Sequence, residues 1–306
     1  MIVVDQLVKR YGPHTAVDHV SFTAEPGQVT GFLGPNGSGK TTTMRVLLGL
    51  ARATSGAVTV NGRAYAELRA PLREVGALLD GPAFHPARPA AASLRMLAAT
   101  HDIPRRRVDE VLGLTGLADV GGKRVREYSL GMRQRLGIAS ALLGDPATVV
   151  LDEPANGLDP EGIRWLRDLV RVLADDGRTV LSSSHLIAEV AQTADRVVVL
   201  GRGRVVADES VASLVGRADS TVLVETPDIA ALVTCLGEAG PSGAPTSIER
   251  LGSERLAVRG LDARAVGSAA AAAGVTLWGL HTEQGSLEDA YVALTRTHLE
   301  HIGGTA

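Results

Sequence analysis

The 306-residue sequence predicts an α/β domain built on a largely parallel central sheet, followed by a smaller α+β unit. Three observations lead there. Apolar runs of strand length alternate with amphipathic helical stretches from Ile2 to about Val215, as expected for strands joined by crossover helices. Gly34 to Thr41 reads Gly-Pro-Asn-Gly-Ser-Gly-Lys-Thr and stands between a strand pattern and a helix pattern, the context of a G-x-x-x-x-G-K-[ST] phosphate-binding loop. Composition shifts near residues 216–220, and the elements beyond run strand, helix, two strands, helix, strand, helix.

The first segment, 2–8, alternates apolar and polar residues. Buried strands are expected at 20–24, 29–33, 57–60, 75–79, 149–151, 179–183 and 196–200, where β-branched and aliphatic residues cluster. Asn61-Gly62 and residues 201–203 supply tight turns. Between 86 and 143 the strand signal vanishes, and helical spacing at 90–100, 105–112 and 132–143 predicts an inserted helical subdomain over about 86–144. These elements define a first domain over 1–216. The second, 217–306, offers strands at 221–225, 247–250, 256–259 and 275–280, helices at 228–239, 262–273 and 286–297, and a loop at 240–245. Ser286-Leu-Glu-Asp289 fits a capping box opening the last helix.

Composition narrows the function classes. Net charge is −3 and no long run of one sign occurs, so overall electrostatics give nucleic-acid binding no support. The clusters Arg105 to Arg107 and Lys123, Arg124, Arg126 read as solvated faces. Cys235 is the only cysteine, which excludes an intrachain disulfide and suits a reducing compartment. The longest weakly apolar stretch, 265–280, falls short of the roughly 20 residues of a spanning helix. The N-terminus shows no charged start ahead of an apolar run. The expectation is a cytoplasmic protein with no direct membrane insertion. His298 and His301, three apart, lack a carboxylate or cysteine partner in pattern and read as tail residues.

The chemistry starts at the glycine-rich loop. A triphosphate is well solvated, so a protein that binds it must substitute many donors at once. Without side chains at Gly34, Gly37 and Gly39, the backbone can curl around a phosphate, and the helix behind adds its positive N-terminal end. Lys40 would reach the β- and γ-phosphates, and the Thr41 hydroxyl would ligate Mg²⁺. Residues 148–151 form a buried strand that ends in Asp152 and Glu153, an arrangement suited to one carboxylate on the metal and one beside an attacking water.

Tyr128-Ser129-Leu130-Gly131-Met132-Arg133-Gln134-Arg135, opening an amphipathic helix, resembles the signature motif L-S-G-G-Q-x-Q-R of the ATP-binding cassette family. Gly157-Leu158-Asp159-Pro160 resembles that family's D-loop, and Ser184-His185 its switch histidine. The resemblance spans residues 1 to about 215 and implies a P-loop ATPase fold with an antiparallel β subdomain and a helical subdomain; the element order beyond it predicts a small ferredoxin-like α+β domain. It also implies roles residue by residue. Gly34, Pro35, Asn36, Gly37, Ser38, Gly39, Lys40, Thr41 and Thr42 would bind the phosphates of ATP, and Thr41 with Asp152 would hold Mg²⁺. Glu153 would polarise the attacking water, His185 would sense the γ-phosphate, and Tyr11 would stack on adenine. In this family two subunits meet head to tail, so Ser129 and Gly131 of one copy would complete the other's pocket, with Asp159 linking the two sites.

Three departures from the family pattern bear on turnover. Leu130 replaces the first signature glycine, Met132 replaces the glutamine, and Asp80 stands where the family has its Q-loop glutamine. An ionised aspartate accepts but cannot donate, so Asp80 would touch Mg²⁺ only as an acceptor, through water. The single cassette with its C-terminal unit resembles the antibiotic and multidrug efflux branch, including daunorubicin-resistance-type ATPases. The expected function is therefore the ATPase subunit of an exporter, a homodimer paired with a separately encoded transmembrane permease and peripheral on the inner face of the membrane. The alternative is a non-transport regulatory or assembly ATPase of the same family.

Overall fold

The computed structural model describes residues 1–79, 84–217, 220–238, 247–283, 286–288 and 290–291. Two compact units divide between Val211 and Ala212. In the first, β1 (Ile2–Tyr11) and β2 (His14–Ala24) form a hairpin, and β3 (Val29–Leu33) then enters a second sheet and leads through the glycine-rich loop into α1 (Lys40–Leu47). The chain returns through β4 (Ser55–Val60), α2 (Pro71–Glu74) and β5 (Val75–Leu78). Helices α3 (Ala90–Ala99), α4 (Arg106–Leu114) and α5 (Leu130–Leu142) make up the insert. Then follow β6 (Thr148–Leu151), α6 (Pro160–Asp175), β7 (Thr179–Ser184), α7 (Ile187–Thr193), β8 (Arg196–Gly201) and β9 (Arg204–Ser210).

The smaller sheet is antiparallel with order β2-β1-β4. The larger has order β5-β6-β7-β3-β8-β9, parallel throughout except for β8 against β9. Burial explains the sequence pattern. Every residue of β3 and β6 is buried, so both read as continuous apolar runs, as strands covered on two faces do. Phe22 of β2 and Phe32 of β3 pack with ring centroids 5.1 Å apart, in a core that Met44 and Leu47 of α1 complete. A second core lies under the helical insert, from Leu94, Val108, Leu136 and Leu142 down to Val149 and Val180.

In the second unit, α8 (Val211–Arg217) leads to β10 (Thr221–Glu225), α9 (Ile229–Glu238), β11 (Ser247–Arg250), β12 (Arg255–Arg259), α10 (Ala263–Ala272) and β13 (Gly279–Glu283). The βαββαβ order and the antiparallel sheet β11-β12-β10-β13 are the ferredoxin-like arrangement. Its core joins Val222, Val224, Leu256 and Val258 to Leu232, Leu236 and Val266.

Two strands depart most from expectation. The strand expected at 275–280 forms instead at Gly279–Glu283. Its partner β10 ends at Glu225, paired with Gly279, and Thr226-Pro227 follows, so 275–277 has no ladder to join. Val275 and Leu277 pack on the core without strand pairing. Strand β9 had no sequence signal because it lies at a sheet edge, half-buried along most of its length, and so shows no clean alternation. The capping box reaches Asp289 and the histidine pair is His298 and His301, all outside the described residues.

Candidate active site

The carboxyl ends of β3, β6 and β7 are neighbours in the parallel sheet, and each delivers one part of the site at the crevice where α/β sheets bind ligands. Strand β3 delivers the glycine-rich loop. Gly39, at φ +105°, caps α1, and a Cβ there would lie 2.7 Å from the Ala16 carbonyl oxygen. A Cβ on Gly34 would lie 2.6 Å from the Leu200 carbonyl. Both glycines are thus demanded by backbone packed beneath the loop as well as by the loop's own curl.

Lys40, only 6% exposed, donates through Nζ to the carbonyls of Gly34 at 2.5 Å and Pro35 at 3.4 Å, and faces Glu153 Oε1 at 3.4 Å. Thr41 Oγ1 donates to Asp152 Oδ2 at 2.6 Å. Asp152, buried at the end of β6, also accepts from Ser183 Oγ of β7 at 2.5 Å. Glu153 takes φ +48°, a left-handed conformation that few residues other than glycine adopt and that costs of order 1–3 kcal/mol. Its N–H donates to Ser183 Oγ at 2.8 Å. Its Oε2 accepts from His185, through the backbone N–H at 3.3 Å and through Nδ1 at 2.7 Å. An ionised carboxylate is acceptor-only, so this contact puts the proton on Nδ1 and leaves Nε2 free. Glu153 Oε1 is buried without a hydrogen-bond partner, as is Ser38 Oγ.

Tyr11, Pro35, Asn36, Gly37, Ser38, Gly39, Lys40, Thr41, Thr42 and Glu153 line one groove of about 340 Å³. Tyr11 is 48% exposed on its wall, with Lys9 Nζ 4.6 Å above the ring. His14 and Ala16, which the sequence did not single out, line it too.

Ser129, Gly131 and Asp159 do not line this groove. Ser129 caps α5, its Oγ accepting the Met132 N–H at 3.1 Å, and Asp159 caps α6, its Oδ1 accepting the Gly162 N–H at 2.7 Å. Just ahead of Ser129, Tyr128 is buried and donates its hydroxyl to the Val120 carbonyl at 2.9 Å; burial pushes the phenol pKa up. Leu130 lies across Gly157, whose added Cβ would meet Leu130 Cγ and Cδ2 at 2.5 Å, yet it remains 62% exposed. Asp80 lies outside the described residues.

Among the described residues no three His, Cys, Asp or Glu side chains group to hold a metal alone. The hydroxyl of Thr41 and the carboxylate of Asp152 are hard oxygen donors in contact, a pair that fits Mg²⁺ taking its remaining ligands from phosphate and water. Sequence reasoning missed Ser183 and gave no role of its own to Gln134 of the signature segment, a buried α5 side chain whose Nε2 donates to the carbonyls of Pro154 at 3.0 Å and Glu153 at 3.4 Å. A signal for Ser183 existed in the serine run 182–184 at the end of an otherwise apolar strand.

A family model described as ABC transporter matches residues 17–156, and another, a domain of unknown function, matches residues 220–288. The bacitracin transport ATP-binding protein BcrA of Bacillus licheniformis is 41% identical over 207 residues, covering 67% of this chain and 68% of that protein. The daunorubicin resistance ATP-binding protein DrrA3 of Streptomyces coeruleorubidus is 39% identical over 248 residues, 78% of each. A solved structure, the ATP-binding subunit of an ABC transporter, superposes with a TM-score of 0.64 at 27% identity, covering 70% of this chain and 91% of that one.

Proposed function

The chain belongs to the ABC transporter family as an ATP-binding subunit, and from that premise we propose that it hydrolyses ATP to drive export of antibiotic or drug-like compounds through a separately encoded membrane permease. The observation that carries the catalytic half is the contact network in which Lys40, Thr41 and Glu153 line one groove while Asp152 bonds Thr41 and His185 bonds Glu153 behind them. Loop N–H groups, the α1 N-terminus and Lys40 receive the phosphate charge, with Lys40 exchanging its carbonyl partners for β- and γ-phosphate oxygens. Thr41 and Asp152 would hold Mg²⁺, which when bound neutralises charge developing on the phosphates. Asp80 joins as a water-mediated metal contact by its sequence position alone. Glu153 takes a proton from the attacking water, and its Oε1, which faces Lys40 at 3.4 Å but accepts no hydrogen bond, is the acceptor available for it. His185 steadies Glu153 through Nδ1–H and would meet the γ-phosphate through Nε2 only where that nitrogen carries a proton as well, while Tyr11 stacks on adenine.

Two copies would work head to tail. Ser129 and Gly131 stand outside their own chain's groove, and this supports the reading in which they close the groove of a second copy, with Asp159 between the two sites. Residues 1–216 act as the ATP-binding domain and 217–306 as an accessory domain. No helix among the described residues is long and apolar enough to cross a membrane. In this reading the permease is a partner chain and the subunit works from the cytoplasm at the inner face. Relatives named for bacitracin transport and daunorubicin resistance favour transport over a regulatory or assembly role.

The test is reconstitution with the neighbouring permease in vesicles, using daunorubicin and bacitracin as probes. ATP-dependent flux of a probe supports the reading. Flux without ATP, or none beside active hydrolysis, contradicts it.

A further inference from the structure

One hydroxyl joins the Asp152 carboxylate to the Glu153 backbone at the end of β6. Ser183, on the neighbouring strand β7, is wholly buried at 0% exposure. Its single proton goes to Asp152 Oδ1 at 2.5 Å, and a lone pair of the same Oγ accepts the Glu153 N–H at 2.8 Å. The consequences differ at the two acids. On Asp152, engagement of Oδ1 leaves Oδ2 turned to Thr41. On Glu153, the bond pins a backbone at φ +48°, and that conformation aims the carboxylate at His185 and Lys40. Gln134 holds the other side of the same turn through the carbonyls of Glu153 and Pro154. Among the described residues no other side chain bonds the Glu153 N–H.

We propose that Ser183 is a positioning residue for ATP hydrolysis, a buried hydroxyl that fixes the metal-facing carboxylate and the water-facing carboxylate relative to each other. The inference rests on the reading of Asp152 and Glu153 given above. Ser183→Ala leaves a buried N–H and a carboxylate oxygen unsatisfied, and the strained turn loses its tether. Lys40, Tyr11 and the loop are untouched, so nucleotide binding persists while the chemistry suffers.

The experiment compares wild type, Ser183→Ala, Ser183→Thr and Glu153→Gln. It measures kcat, KM for ATP, the Mg²⁺ dependence of equilibrium binding of a fluorescent ATP analogue, and thermal unfolding. For Ser183→Ala, kcat should fall at least about tenfold, since small misplacements of catalytic groups have effects of that size or larger. KM and analogue affinity at saturating Mg²⁺ should stay within about threefold, and half-saturation should move to higher Mg²⁺. Ser183→Thr keeps the hydroxyl and should recover most of kcat. If Ser183→Ala gives no soluble protein, Ser183→Cys takes its place with the same readouts. A kcat within about twofold of wild type overturns the proposal, as does parallel loss of kcat, binding and thermal stability in the Ala and Thr variants alike. Turnover that survives Glu153→Gln instead removes the reading of Glu153, so the two failures are separable.

Discussion

Gly157→Ala should destabilise the first unit by an amount that depends on Leu130. Gly157 sits at φ +81°, where an L-residue with a Cβ costs about 1–2 kcal/mol. The new methyl would also lie 2.5 Å from Leu130 Cγ and Cδ2, about 1 Å inside ordinary carbon contact. Leu130 is largely exposed and can swing aside, at about 0.5–1.5 kcal/mol for leaving its rotamer. The expected total is about 1.5–3.5 kcal/mol, of which only the second part should vanish in a Leu130→Ala background. A double-mutant cycle therefore predicts coupling of about 1 kcal/mol, well above the few tenths expected of independent sites. Denaturant unfolding followed by tryptophan fluorescence in a Trp278→Phe background reads the first unit alone, because Trp165 is then the sole indole. Trp278 is 59% exposed, so its replacement is nearly neutral. Additive effects within about 0.3 kcal/mol would refute the reasoning, since Leu130 would then not lie against Gly157.

Asp159→Ala should lower stability by about 1 kcal/mol through loss of the α6 cap and depress ATP turnover further than that loss explains, checked by unfolding and steady-state hydrolysis together. Tyr128→Phe removes the hydroxyl bonded to Val120, whose carbonyl keeps the Lys123 N–H, so the cost is that of one hydrogen bond, about 0.5–1.5 kcal/mol in denaturant unfolding. Tyr11→Ala should weaken ATP affinity by about 1–3 kcal/mol while kcat at saturation holds, measured by equilibrium titration.

What the sequence made legible follows from locality. Gly34 to Thr41 is contiguous, so its chemistry and its strand-to-helix context lie within one short window. Asp152 and Glu153 declare themselves by standing at the end of an apolar run. Ser183, Gln134 and the lean of Leu130 on Gly157 are contacts between segments 20 or more residues apart, and no periodicity encodes them. The shifted strand β13 failed for a related reason: Val275 and Leu277 are apolar because the core takes them, while the ladder is limited by where Thr226-Pro227 ends β10. Ser129 and Asp159 were legible as motif residues, yet within one chain they serve as helix caps, a duty that local spacing alone would also produce.

The reading of this chain as half of a nucleotide clamp is open to one decisive measurement. Glu153→Gln, saturated with ATP and Mg²⁺, should sediment as a dimer and return to monomer when ATP is replaced by ADP. A monomer at every nucleotide state, with ATP shown to be bound, contradicts it.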